Sequence, residues 1–246
     1  MATLRAVTIL HLIRHGRASA LEADYDQLQP LGELQARLLG AHLAEQQQRF
    51  DGVYVGPLRR QRETWRLMRE AAGPWGEAWP AENVLDGLAE GPFEVLMKTH
   101  LRPRIKLDGA LQQLLAKWRE GDGEPAQMEA LQGMFDRMVE LWRSEEIRSD
   151  ELETAAAFAA RVAVATAEIA RREGAQRHVA VVTSNGVIGE LLRSLPDVEL
   201  QLERNAHGRL RFHNTSVSVL ELHADGPRLR AHNQTAHLRD EHRTLL

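Results

Sequence analysis

The sequence predicts an α/β fold in which buried strands alternate with amphipathic helices, and three observations carry the prediction. Val7, Ile9, Leu10, Leu12 and Ile13 make a short, nearly continuous apolar run, the pattern of a strand covered on both faces. His178 to Val182 repeats that pattern far along the chain. Both runs stop abruptly at a polar turn before glycine, Arg14-His15-Gly16 in one case and Thr183-Ser184-Asn185-Gly186 in the other. A buried strand ending in this way delivers polar groups to its carboxyl edge, where open α/β sheets bind their ligands.

The bulk properties narrow the function. A chain of 246 residues, 43% of them hydrophobic, fits a single domain over 1–246 that carries an insertion. A formal charge of −4 argues against nucleic acid as a partner, while leaving room for a local basic pocket. Without cysteine there is neither disulfide nor thiol chemistry. No stretch approaches the roughly 18 apolar residues of a membrane span, and the amino terminus lacks a signal-like core, so no membrane partner and a cytoplasmic location are expected. Eleven histidines raise the question of a metal. His11 and His15 are four apart but in strand-like sequence, and His232, His237 and His242 recur at five, off one helical face; no metal site is expected.

Taken in order, residues 17–29 read as a polar loop with Glu22, Asp24, Tyr25 and Asp26. Pro30 suits the first position of a helix, because its missing N–H would be unpaired there, and Leu34, Leu38, Leu39 and Leu43 give that helix one apolar face. Gln29 before it is a weak cap. Val53-Tyr54-Val55 is a short strand that Gly56-Pro57 turns into a second helix. Another short strand is expected at Val84 to Asp86. Residues 95–150 read as a helical insertion: Leu111, Leu114, Leu115 and Trp118 form one stripe, Met128, Leu131, Phe135, Met138 and Trp142 another, and Glu120 to Pro125 breaks them into a hairpin. Ahead of it, Lys98, His100, Arg102, Arg104 and Lys106 around Pro103 read as a solvated basic loop. The alanine-rich segment 152–170 predicts a helix lying close to the sheet. Alternating runs at 210–212, 217–222 and 229–231, with Asp225-Gly226 between the last two, predict a hairpin. The tail from His232 reads as loosely held.

Six motifs, in order from one end of the chain to the other, resemble the histidine phosphatases, the phosphoglycerate mutase-like superfamily. They are LIRHG at 12–16, QPLGELQARLLGAHL at 29–43, GPLRR at 56–60, LAE at 88–90, SNGVI at 184–188 and NTSVSVLEL at 214–222. The resemblance implies a three-layer α/β/α sandwich with a mostly parallel central sheet, carrying the helical insertion. It further implies a metal-independent phosphomonoester hydrolase that works through a phosphohistidine on a small phosphorylated substrate, needs no cofactor and also binds inorganic phosphate. A homodimer is compatible with it. By the motifs, His15 is the nucleophile, Arg14 and Arg60 hold the phosphate, and Glu90 is the general acid, with Glu94 a competing candidate. Arg59 and Arg62 are neighbours of Arg60 without an assigned aim.

The chain departs from the family pattern at Asn185, which stands where a second catalytic histidine is usual. Asparagine donates a hydrogen bond but carries no positive charge. Losing a preorganised donor to developing charge costs about 3 kcal/mol, so a slower enzyme is expected, with His207 or His213 as stand-ins. Two alternatives stay open at this point. One is a degenerate member that binds a phosphorylated ligand or a partner without turnover; the other is a phosphoglycerate mutase-type phosphotransferase.

Overall fold

The computed structural model describes residues 7–18, 26–175, 177–193, 195 and 210–245. By their internal contacts these divide into two compact units, the first built from residues up to 90, from 161 through the second central strand and its helix, and from 210 to 245, and the second from 91–160.

The first unit is organised on a six-stranded sheet. Its strands are β1 (Thr8–Arg14), β2 (Gly52–Val55), β3 (Asn83–Val84), β4 (His178–Thr183), β5 (Val217–His223) and β6 (Gly226–Gln234), in the spatial order β3-β2-β4-β1-β5-β6. β1 lies parallel to β4, which lies parallel to β2, and β2 parallel to β3; β5 runs antiparallel to β1 and is joined by a tight turn to antiparallel β6. The two apolar runs of the sequence are thus adjacent central strands, and their polar turns leave the sheet side by side.

Alternation along the strands divides the core. Ile13, Val53, Val55, Ala180 and Val182 face α1 (Pro30–Glu45) and α2 (Arg59–Ala71), which contribute Ala36, Leu39, Leu43, Trp65, Leu67 and Met68 to one cluster, with Trp75 of the short α3 (Pro74–Glu77) packed against it. Phe50, Trp65 and Trp79 pack ring against ring in it, at centroid distances of 5.3 to 6.4 Å. On the other face, the Tyr54 hydroxyl donates to Glu173 at 2.7 Å, which places the carboxyl end of α8 (Ala155–Glu173) there. Helices on both faces of the sheet make the three layers expected. His11, in mid-strand, meets His178 at 3.1 Å and the edge of Phe50, and burial with the neighbouring His178 lowers its pKa to about 4.

The second unit is helical. α4 (Phe93–Val95), a π-helical turn over Leu96–His100 and α5 (Leu101–Ile105) precede α6 (Gly109–Glu120) and α7 (Glu124–Arg143), which form the hairpin read from the two stripes. Asp108 caps α6 by accepting from the Leu111 amide at 2.9 Å, and it pairs with Arg137 of α7 at 2.8 Å. Phe93, Phe135, Trp142 and Phe158 stack edge to face.

Three expectations are corrected. The basic segment around Pro103 is helical rather than a loop, because Pro103 falls in the first turn of α5, where its missing donor is not needed. The strand foreseen at Val84 to Asp86 ends at Val84 and gives way to a 3-10 turn over Asp86–Leu88. The tail is not loose: β6 runs to Gln234, and beyond it buried Gln35 donates to the His242 carbonyl at 2.7 Å and the Thr244 hydroxyl at 2.9 Å. Of the loop 17–29, Glu22, Asp24 and Tyr25 lie outside the described residues. Among the described residues no helix is long and apolar enough to cross a membrane.

Candidate active site

Arg14 ends β1 opposite Thr183 of β4, and the His15 amide extends that ladder by donating to the Thr183 carbonyl at 2.9 Å. His15 therefore emerges at the carboxyl edge of the sheet. The turn after it is braced from several sides. The Gly16 amide donates to the Thr64 hydroxyl of α2 at 3.0 Å, Asn214 donates to the His15 carbonyl at 3.2 Å, and the Thr215 amide donates to the Arg14 carbonyl at 3.1 Å. Glycine at 16 is a matter of space: a Cβ there would lie 2.4 Å from the Gly32 carbonyl oxygen of α1.

The ring of His15 is 6% exposed and oriented by two contacts. Nδ1 lies 2.7 Å from the Gly16 carbonyl, which can only accept, so Nδ1 carries the proton and Nε2 the lone pair. That lone pair accepts from Arg60 Nε at 3.2 Å. Burial, then the charges of Arg60 and Arg14, hold the pKa of His15 well below the usual histidine value, against the opposing pull of the Gly16 carbonyl. At neutral pH the imidazole is uncharged.

Arg60, 4% exposed on the inner side of α2, is shared between His15 and Asp26, whose Oδ1 receives Nη1 at 2.9 Å. Asp26 also caps α2 from outside the helix, accepting from the backbone amides of Arg59 at 2.6 Å and Arg60 at 3.3 Å. Arg59 and Arg62 are exposed. Arg14 turns its Nη1 to the carbonyls of Phe212 and Leu245, the latter at 2.8 Å, so one of its terminal nitrogens is held by backbone.

Glu90 is reached through Leu88, whose carbonyl accepts from Gln61 at 3.1 Å and from the Thr183 hydroxyl at 2.8 Å. Arg161 of α8 then pins the next turn by donating to the carbonyls of Gly87, Ala89 and Glu90 at 2.8 to 3.1 Å. The Glu90 carboxylate accepts from the Gly186 amide at 3.1 and 3.4 Å, in the first turn of α9 (Asn185–Arg193). Asn185, half-buried, is the first residue of that helix.

The structure thus brings His15 against Arg60, brings Glu90 against the residue after Asn185, and carries both pairs to one edge through Thr183. Glu94 faces Lys98 at 2.6 Å in an exposed pair within the second unit. His213 is engaged with Asn233, 3.1 Å from its Nδ1, and His207 lies outside the described residues. Among the described residues no cluster of three or more His, Cys, Asp or Glu could hold a metal ion.

Several functional supports were not read from the sequence. Gln61, Thr64, Trp65 and Met68 recur at helical spacing on the buried face of α2, so two polar side chains inside an apolar stripe were the available signal. Gln61 links Leu88 to the Ser184 hydroxyl, 2.8 Å away, and its Oε1 accepts from the Leu58 amide at 3.1 Å. It also crowds Gly56: a Cβ there would stand 2.1 Å from Gln61 Oε1 and 2.7 Å from the Leu88 carbonyl. Asp26 and Arg161 carry no local signal.

The family description "Histidine phosphatase superfamily (branch 1)" matches residues 10–145 and 106–235, while no curated protein sequence matches the chain. Solved structures share the fold at low identity. A phosphoglycerate mutase from Bacillus anthracis str. Sterne is 18% identical over 95% of this chain and 96% of its own, with a TM-score of 0.64. A putative alpha-ribazole-5'-P phosphatase from Escherichia coli str. K-12 is 20% identical over 92% and 96%, with a TM-score of 0.60. A phosphoserine phosphatase mutant from Entamoeba histolytica, in complex with phosphoserine, is 20% identical over 94% and 100%, with a TM-score of 0.57. With the family pattern spanning both central strands and their turns, the chain belongs to the histidine phosphatase superfamily.

Proposed function

We propose that the protein is a phosphomonoester hydrolase that acts on a small phosphorylated substrate through a phosphohistidine at His15. The observation that carries this reading is the state of His15: buried, uncharged, its proton committed to the Gly16 carbonyl, its Nε2 lone pair beside a buried guanidinium. Such a nitrogen is a competent nucleophile toward phosphorus.

In the first step Nε2 attacks the phosphoryl group in line, the bond to the alcohol oxygen breaks, and that oxygen takes a proton from the Glu90 carboxyl. Arg60 and Arg14 hold the equatorial oxygens as charge redistributes. In the second step water attacks the phosphohistidine, its proton passes to the Glu90 carboxylate, and Nε2 is released with inorganic phosphate. Every group these steps call on is a side chain of the site, and none of them requires a metal ion. Asn185 offers an amide donor near the phosphoryl group without the charge of an imidazolium, which slows both steps. The second unit is read as an insertion within one histidine phosphatase-like domain.

Trapping the intermediate tests the proposal. Quenching a reaction with a generic labelled phosphomonoester in alkaline detergent should give a phosphoenzyme that is stable to alkali, lost on acid treatment and absent in His15→Ala. The lost histidine at 185 favours a second reading, a binder without turnover. Tight phosphate-ester binding with no release of phosphate and no phosphoenzyme would establish that reading instead.

A further inference from the structure

Asp26 has no role in the chemistry just derived, yet it accepts three hydrogen bonds at the site. Its two carboxylate oxygens take the Arg59 amide at 2.6 Å, the Arg60 amide at 3.3 Å and Arg60 Nη1 at 2.9 Å. Backbone amides at the start of a helix together with a guanidinium are the donor set that receives a phosphoryl group. The side chain that fills it is 32% exposed, whereas Arg60 is 4% exposed, so the carboxylate stands on the solvent side of the cation. At the other end of the same guanidinium, Nε points its proton at the His15 Nε2 lone pair, 3.2 Å away. A guanidinium is planar and rigid. While Asp26 grips Nη1, Arg60 keeps its Nε over the nitrogen that must attack.

We propose that Asp26 is a built-in competitor for the phosphate cradle: its carboxylate is the resting occupant that an incoming phosphoryl group must displace before His15 can act. This rests on the assignment of Arg60 to phosphate binding made above. The carboxylate supplies one negative charge and two oxygens. A phosphomonoester, whose second ionisation falls near pH 6, offers about twice that charge and a third oxygen. It displaces the carboxylate, draws Arg60 away from His15 and uncovers Nε2 in the same movement. Substrate binding and exposure of the nucleophile are then one event.

The test is phosphate binding by calorimetry at pH 7.5, without turnover, on the wild type, Asp26→Asn and Asp26→Glu. A cradle occupied by its own carboxylate in about nine molecules of ten lowers apparent affinity about tenfold, so Asp26→Asn should bind inorganic phosphate about tenfold more tightly. Formate, which meets the same competitor, should gain affinity by about the same factor, leaving the ratio of the two affinities unchanged. Asp26→Glu keeps the charge and should stay near the wild type. A second readout is the rate at which diethyl pyrocarbonate modifies His15, followed by peptide mass mapping; it should rise in Asp26→Asn and fall when phosphate is added. Thermal unfolding of each variant reports the loss of the helix cap separately. Unchanged or weaker phosphate binding in Asp26→Asn would show that Asp26 only orients Arg60 and caps α2, and would overturn the proposal. Absence of phosphate binding in both proteins would overturn it as well. Tighter binding in Asp26→Asn together with no phosphoenzyme in any variant would leave the gate standing and remove the hydrolase reading.

Discussion

The turns after β1 and β4 begin alike and are built differently. Each follows a buried parallel strand, each leaves the same edge of the sheet, and Arg14 and Thr183 are register partners. The first is held by Thr64, Asn214, Thr215 and the close approach of Gly32, and it carries a buried ring with both nitrogens engaged. The second carries a half-buried asparagine, flanked by Ser184, whose hydroxyl accepts from Gln61 at 2.8 Å, and by Gly186, whose amide donates to the Glu90 carboxylate at 3.1 Å. The turn at His15 is braced at both ring and backbone, and few side chains fit it. The partner turn is tied at Ser184 and Gly186, and Asn185 between them is the partly exposed position. The departure from the family pattern falls at that position.

The sharpest way to break the comparison is Gly16→Ala. The added methyl meets the Gly32 carbonyl, and backbone on both sides leaves little to relax, so a loss of about 3 kcal/mol of stability and nearly all phosphatase activity is expected in denaturant melts and turnover assays. Restoring the family residue in the other turn should do the opposite. Asn185→His should raise turnover by about 10- to 100-fold while changing stability by less than about 0.5 kcal/mol, measured in the same assays. A large destabilisation by Asn185→His would erase the contrast drawn between the turns.

Smaller effects refine it. Thr64→Val leaves the buried Gly16 amide without its acceptor and should cost about 1–2 kcal/mol, visible as a lower denaturant midpoint. Gly56→Ser should destabilise the wild type, and Gln61→Ala should relieve only part of that, because the added Cβ would also lie 2.7 Å from the Leu88 carbonyl; a coupling of about 1 kcal/mol is expected in a double-mutant cycle. Titration also separates the turns, because only the first contains a group that ionises. Burial lowers the pKa of His15, and it lowers His11 and His237 to about 4, so the folded protein resists protonation that the unfolded chain accepts near 6.5. Stability is therefore full above pH 6.5 and falls as pH drops towards 4. His15→Asn should flatten that fall by up to one proton in its slope, and any acid limb of kcat/KM belonging to His15 should lie below pH 6.5.

What could be read directly from the chain was whatever repeats at short range. Apolar runs gave both central strands, 3.6-residue periodicity gave α1 and the α6–α7 hairpin, and the Arg-His-Gly and Ser-Asn-Gly turns announced themselves by ending those runs. Motifs in order then pointed to His15, Arg60 and Glu90. The misreadings were also local in origin: Pro103 and a row of cations resembled a loop because composition does not register that a proline in a first turn costs nothing. Tertiary structure alone decided the rest. Asp26 meets Arg60 across 34 positions, Glu90 meets Gly186 across 96, and Arg14 meets Phe212 across 198. No period links such partners, since each contact depends on where the sheet order β3-β2-β4-β1-β5-β6 carries the chain ends of its strands. The chemistry available to His15 was legible in the residues, whereas the proton on Nδ1, the cation over Nε2 and the carboxylate holding that cation came from the fold, because they are set by distance and burial.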